Sequence, residues 1–125
     1  MRFREALAVA IGGAVGTLAR VGALEASEHL LWGELLATLV VNALGAFGLA
    51  FVVSRGLPEF APWMYQGITV GFLGSYTTFS AIALITTSEW GAIGIAYLVL
   101  TLVVGVLMVV LGRLLGRASR KQATT

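Results

Sequence analysis

The chain has 125 residues, 58% of them hydrophobic and only 11% charged, with a mean hydropathy of +0.95. Soluble domains carry roughly 25% charged residues, so a soluble globular protein is excluded. Eight basic and six acidic side chains leave a formal charge of +2, which gives no basic surface for nucleic acid. The absence of cysteine and the single His29 exclude disulfides, thiolate metal sites and a histidine cluster.

In chain order, the only charge between Glu5 and Glu25 is Arg20; the uncharged runs that follow are 20 residues long before Arg55, 29 between Glu59 and Glu89, and 23 between Glu89 and Arg113. A bilayer core takes roughly 20 apolar residues per helix. These windows predict four transmembrane helices, near 6–24, 33–54, 62–87 and 91–114, in one all-α unit over residues 1–115. A basic, polar tail at 116–125 is expected to fray or lie on the surface. A soluble bundle would carry a charged stripe on each helix, and none of these windows has one. Arg2 and Arg4 ahead of an apolar stretch imitate a signal peptide, but no small-residue cleavage site with a polar mature domain follows, so the first helix is expected to be retained.

Four spans place both termini and the second loop on one side. That side collects Arg2, Arg4, Arg55, Arg113, Arg117, Arg120 and Lys121, against Arg20 on the other. The positive-inside rule puts the termini in the cytoplasm, as expected for a multi-pass protein of the inner (plasma) membrane.

Glycines four apart, at Gly12 and Gly16, Gly67 and Gly71, and Gly112 and Gly116, predict closely packed helices. Polar groups within the spans are costly and therefore informative. Asn42 sits in the middle of the second helix with Thr38 a turn earlier and Gly45 nearly a turn later; its amide either ties two helices together or lines a polar path. Arg20 either snorkels to the interface or presents a charge to a vestibule. Tyr97 and Thr101 form a short polar stripe on the fourth helix.

No Asp, Glu, Lys or His lies deep in a span, which argues against a proton-coupled multidrug exporter and against a membrane enzyme. Hydroxyls, an amide, ring edges and an arginine suit an anion. The run "GFLGSYTTFSAI", Gly71 to Ile82, is a poor helix of glycines and hydroxyl residues. Non-helical backbone at membrane depth persists only where protein buries it or it lines a wet cavity. A break here turns carbonyls toward a cation, and N–H groups with the hydroxyls of Thr77, Thr78 and Ser80 toward an anion.

Three segments, "GGAVGTLAR" (Gly12 to Arg20), "TLVVNALGAF" (Thr38 to Phe47) and "GFLGSYTTFS" (Gly71 to Ser80), occur in the order and spacing of the Fluc (CrcB) family of small fluoride channels, which the whole chain resembles. The resemblance implies two subunits inserted antiparallel, with two fluoride pathways at their interface and a third helix broken in mid-membrane. It implies a central structural sodium ion (Na+) on the carbonyls of Gly74 and Thr77. It assigns the fluoride pathway to Asn42, Phe79, Ser80, Thr38, Tyr97 and Thr101, with Ile82 alongside and Arg20 near the vestibule. The implied role is passive export of cytoplasmic fluoride by an antiparallel homodimer, or by a heterodimer with a paralogous subunit.

The chain departs from the family at Ile82, where a second phenylalanine is usual, at Ala37, where a glycine is common, and at Tyr76. Seven basic residues against one also sit awkwardly with insertion in both orientations. An alkyl group offers no polarised ring edge, so Ile82→Phe is expected to speed fluoride efflux from proteoliposomes; an equal or lower rate would show that the second ring is dispensable here.

Overall fold

Uninterrupted apolar sequence satisfies its backbone most cheaply as helix, because lipid offers no hydrogen-bond partners. A computed structural model, which describes residues 2–56, 60–88 and 91–124, accordingly contains α1 (Phe3–Ala26), α2 (Gly33–Arg55), a segmented third span, and α6 (Ala92–Thr124). The third span consists of α3 (Pro62–Gln66), a π-helical stretch Gly67–Leu73, the short α4 (Gly74–Tyr76) and α5 (Phe79–Ser88). All four spans are long and apolar enough to cross a membrane. The 24 residues of α1, at about 1.5 Å each, exceed the roughly 30 Å hydrocarbon thickness. The protein is an all-helical, multi-pass membrane protein.

The helices associate as two pairs. α2 lies along α6, and α1 lies along the π-helical stretch and its flanks; contacts between the pairs are fewer and are made by α2 with α1 and the third span, and by α5 with α6. Glycine makes each pair close. A Cβ on Gly12 would overlap the Gly67 carbonyl, and one on Gly16 the Phe72 carbonyl; Gly71 faces the Val9 carbonyl at 2.7 Å from where its Cβ would lie. On α6, a Cβ at Gly112 would lie 2.5 Å from the Phe47 carbonyl, and one at Gly116 2.7 Å from that of Phe51. The four-apart glycines are therefore helix-packing surfaces, as expected from their spacing.

Large apolar side chains point outward along every span, among them Leu18, Leu44, Leu84 and Val106, while Val41, Ile85 and Leu73 are buried between helices. This inverted distribution suits a lipid solvent. The connection between the second and third spans begins at Gly56, whose φ of 93° caps α2 in a conformation that side chains avoid.

The expected tail is corrected by the structure: α6 continues as helix through residue 124, past the boundary near 115. Leu, Arg, Ala, Lys and Gln are good helix formers. Contact of Gly116 with Phe51 and Ser54 also holds the extension against α2, as does a hydrogen bond donated by Arg55 to the Ser119 hydroxyl.

Gly16→Val should destabilise the detergent-solubilised protein by about 1–3 kcal/mol or more, because backbone cannot yield to the added side chain. Gly22→Ala, which meets open space, should be neutral or mildly stabilising. Thermal unfolding of the two variants checks the contrast.

Candidate functional site

The third span changes its hydrogen bonding twice. In the π-helical stretch the Gly74 N–H donates to the Thr69 carbonyl five residues back. Such insertions widen a helix and often mark functional positions. Three residues later the helix stops. Thr77 is extended, with φ −80° and ψ 156°, and helix resumes at Phe79. Thr77 closes the first part by directing its N–H (3.1 Å) and its hydroxyl (3.0 Å) to the Leu73 carbonyl. Thr78 caps the second, its Oγ1 accepting the Ala81 N–H at 3.3 Å.

Two side chains from neighbouring helices fasten this interruption. The Asn42 carboxamide bonds both backbone groups of Thr78: its Oδ1 accepts the Thr78 N–H at 2.7 Å, and its Nδ2 donates to the Thr78 carbonyl at 3.0 Å. On the other side, Arg20 Nε donates to the Ser75 carbonyl at 3.1 Å. Gly45 makes room, since a Cβ there would overlap the Thr77 methyl group. The Phe72 and Tyr76 rings stack 5.6 Å apart at 9° along the same turn.

A cleft of about 560 Å³ opens beside the interruption, between α2, the third span and α6. It brings together Asn42, Gly74, Thr77, Phe79, Ile82 and Thr101 from the sequence-derived set. The Phe79 ring is 77% exposed. Thr101 is only 7% exposed, and its buried Oγ1 makes no hydrogen bond of regular geometry among the described residues, with the Tyr97 side chain as a polar neighbour. The remaining four residues do not line the cleft. Thr38 is 2% exposed in the α2 packing surface. Tyr97 is buried, its hydroxyl donating to the Leu35 carbonyl at 3.3 Å. Ser80 lies outside the cleft lining, its hydroxyl 3.1 Å from that of Thr78. Arg20 sits at the α1 side of the interruption.

Sequence reasoning missed Gly45 and Thr69 as cleft residues, and it missed the π-helical stretch. The spacing of Gly45 from Asn42, nearly one turn on the same face, was the available signal for the first. Among the described residues no group of His, Cys, Asp or Glu is placed to hold a metal, so any cation here would rest on neutral oxygens.

Four membrane-length helices, three of which line a largely apolar cleft bordered by a few hydroxyl and amide groups, define an integral membrane protein. Residues 7–113 match the family described as "CrcB-like protein, Camphor Resistance (CrcB)", and the chain belongs to that family. It is 35% identical over 123 residues to fluoride-specific ion channel FluC 2 of Geobacillus kaustophilus, covering 93% of this chain and 95% of the relative. It is 38% identical over 119 residues to FluC of Paracoccus denitrificans, with 89% and 93% covered. FluC of Synechocystis is 37% identical over 121 residues, with 91% and 93% covered. These names describe ion conduction, a non-enzymatic function, in line with the expectation that the chain is no enzyme.

Replacing a buried hydroxyl that lacks a regular hydrogen bond by a methyl group removes a desolvation cost without breaking a bond. Thr101→Val should leave the thermal midpoint equal to or above that of the wild type; a loss beyond about 1 kcal/mol would reveal a partner for Oγ1.

Proposed function

We propose that the chain is a subunit of a passive fluoride channel in the inner membrane. The observation that carries this reading is the cleft itself: an exposed phenylalanine, Phe79, and a buried hydroxyl, that of Thr101, both line it beside a side-chain-fastened interruption of a span. Fluoride is small and strongly hydrated. Passage requires donors that replace its water without trapping it. Ring edges and hydroxyls are such donors; Phe79 and Thr101 border one cleft, and relatives of the chain are named as fluoride-specific channels.

In this reading the cleft is half of a pathway, closed by a second copy inserted antiparallel. Phe79 offers its electropositive edge, Ser80 and Thr101 offer hydroxyls, and the remaining Nδ2 proton of Asn42 faces the ion. Ile82 lines the cleft as an alkyl wall; Thr38 and Tyr97, buried outside the cleft, are assigned to the pathway by the family resemblance, as is Arg20, a source of positive potential on the α1 side. Gly74 borders the cleft and Thr77 is extended, which fits a sodium ion held by their carbonyls together with those of the partner. When bound, sodium would join the two subunits and add positive charge near the anion path.

A second reading is favoured by a specific observation, the seven-to-one distribution of basic residues combined with Ile82. The chain would then be the fixed-orientation half of a heterodimer with an oppositely inserted paralogue.

Purified protein reconstituted alone should release fluoride from liposomes, and Phe79→Ala should lower the rate at least tenfold. Release only after adding a paralogous chain would establish the heterodimer. No release in either case would overturn the channel reading in favour of a structural subunit, as would flux unaltered by Phe79→Ala and Asn42→Ala where it appears only in a complex with another chain.

A further inference from the structure

In an unbroken helix each carbonyl accepts from the N–H four residues on. For Gly74 that donor is Thr78, and for Thr77 it is Ala81. In this structure both donors are directed elsewhere. The Thr78 N–H goes to Asn42 Oδ1 at 2.7 Å, and the Ala81 N–H goes to Thr78 Oγ1 at 3.3 Å. The nearer N–H that could reach back to Gly74 in a tighter turn belongs to Thr77, and it donates to the Leu73 carbonyl at 3.1 Å. With Thr77 extended, both N–H groups are turned from those two carbonyls, and two side-chain oxygens hold them in that arrangement.

We infer that Asn42 and Thr78 are positioning residues for a cation: by accepting the Thr78 and Ala81 N–H groups, they keep the Gly74 and Thr77 carbonyls free to coordinate it. Asn42 does this from another helix. Its Nδ2 also donates to the Thr78 carbonyl at 3.0 Å, so the amide spans the two peptide groups on either side of the Thr78 Cα and fixes their relative orientation. Thr78 acts within the span, where one oxygen both caps α5 and relieves Thr77 of its donor. The Ser75 carbonyl between them is treated differently, since Arg20 Nε covers it at 3.1 Å. Of these three carbonyls, the two left without their helical donors and without a cationic cover are thus Gly74 and Thr77.

The arrangement makes binding strength a property of side chains that touch no cation. An N–H returned to either carbonyl would have to be displaced before coordination. The inference rests on the cation reading above for its ligand, but the release of the two carbonyls stands without it.

Full-length protein in detergent, with wild type compared against Thr78→Val, Thr78→Ser and Asn42→Leu, provides the test. Two quantities are measured: the rise in thermal midpoint on replacing N-methylglucamine by sodium, and the carbonyl carbon-13 shifts of residues 74 and 77 in sodium-free buffer. Thr78→Ser keeps the acceptor oxygen and should match wild type in both. Thr78→Val should weaken apparent sodium affinity at least tenfold and move the Thr77 carbonyl toward its hydrogen-bonded shift; Asn42→Leu should do the same at Gly74. Should Asn42→Leu fail to fold, the near-isosteric Thr78→Val and Thr78→Ser pair decides alone. Unchanged carbonyl shifts in Thr78→Val would overturn the inference. A wild type indifferent to sodium, with the shifts moving as described, would remove sodium as the ligand while leaving the carbonyl release intact.

Discussion

The pairing of the Asn42 carboxamide with the backbone N–H and carbonyl of Thr78 is the interaction on which the rest of the structure depends. Interrupting a helix inside hydrocarbon leaves backbone groups unpaired, each at a cost of several kcal/mol. Water cannot repair this at depth. The protein repairs it with side chains: the amide takes the N–H and the carbonyl of Thr78, and Arg20 takes the carbonyl of Ser75. Because these partners come from α2 and α1, the interruption exists only when both helices lie close. The glycines that bring α1 against the third span, and Gly45 beneath Thr77, are thus conditions for the polar feature rather than separate details of packing.

Close pairing in turn explains why the surface is so apolar and the interior so small. Two helices meeting at glycines bury mostly backbone, so their larger side chains turn outward to lipid. The two pairs touch more sparingly, and the cleft lies between α2, the third span and α6. An exposed Phe79 beside exposed backbone at Gly74 is a poor surface to leave against lipid. In the proposed assembly that surface is where the second subunit sits, which gives the openness of the cleft a physical purpose.

The four spans were legible because bilayer thickness translates directly into the length of uncharged runs, and the glycine pairs because a four-residue spacing places them on one helix face. The π-helical stretch was not legible. Gly67–Leu73 contains β-branched residues and glycines that are equally ordinary in an α-helix, so nothing in the local sequence distinguishes its widened hydrogen bonding. The end of the fourth helix was misplaced for a related reason. Its polarity marks departure from hydrocarbon, but good helix formers and the contacts of Gly116 and Ser119 with α2 prolong the helix beyond that point. At the site, the residue types were readable and their partners were not. Asn42 was recognised as either a tie between helices or a lining group, and the structure gives it the tie while leaving one Nδ2 proton uncommitted by those two bonds.

That leftover proton bears on how anion passage and a bound cation would influence each other. The oxygen of the amide is engaged on the Thr78 N–H, its nitrogen on the Thr78 carbonyl, and the same residue borders the cleft that holds Phe79 and Thr101. Rotation of the amide toward an anion would loosen its grip on Thr78 and return an N–H toward Gly74. Linkage makes the effect reciprocal: whatever holds the carbonyls of the interruption in place also restrains the amide, and a restrained amide presents its remaining proton to the cleft in one orientation. A neutral side chain suits this double duty. A carboxylate would accept the Thr78 N–H but repel an anion, whereas an ammonium group would bind the carbonyl and hold an anion too firmly for passage. The amide supplies a donor and an acceptor without net charge, and its central position on α2 gives both sides of the interruption a common reference.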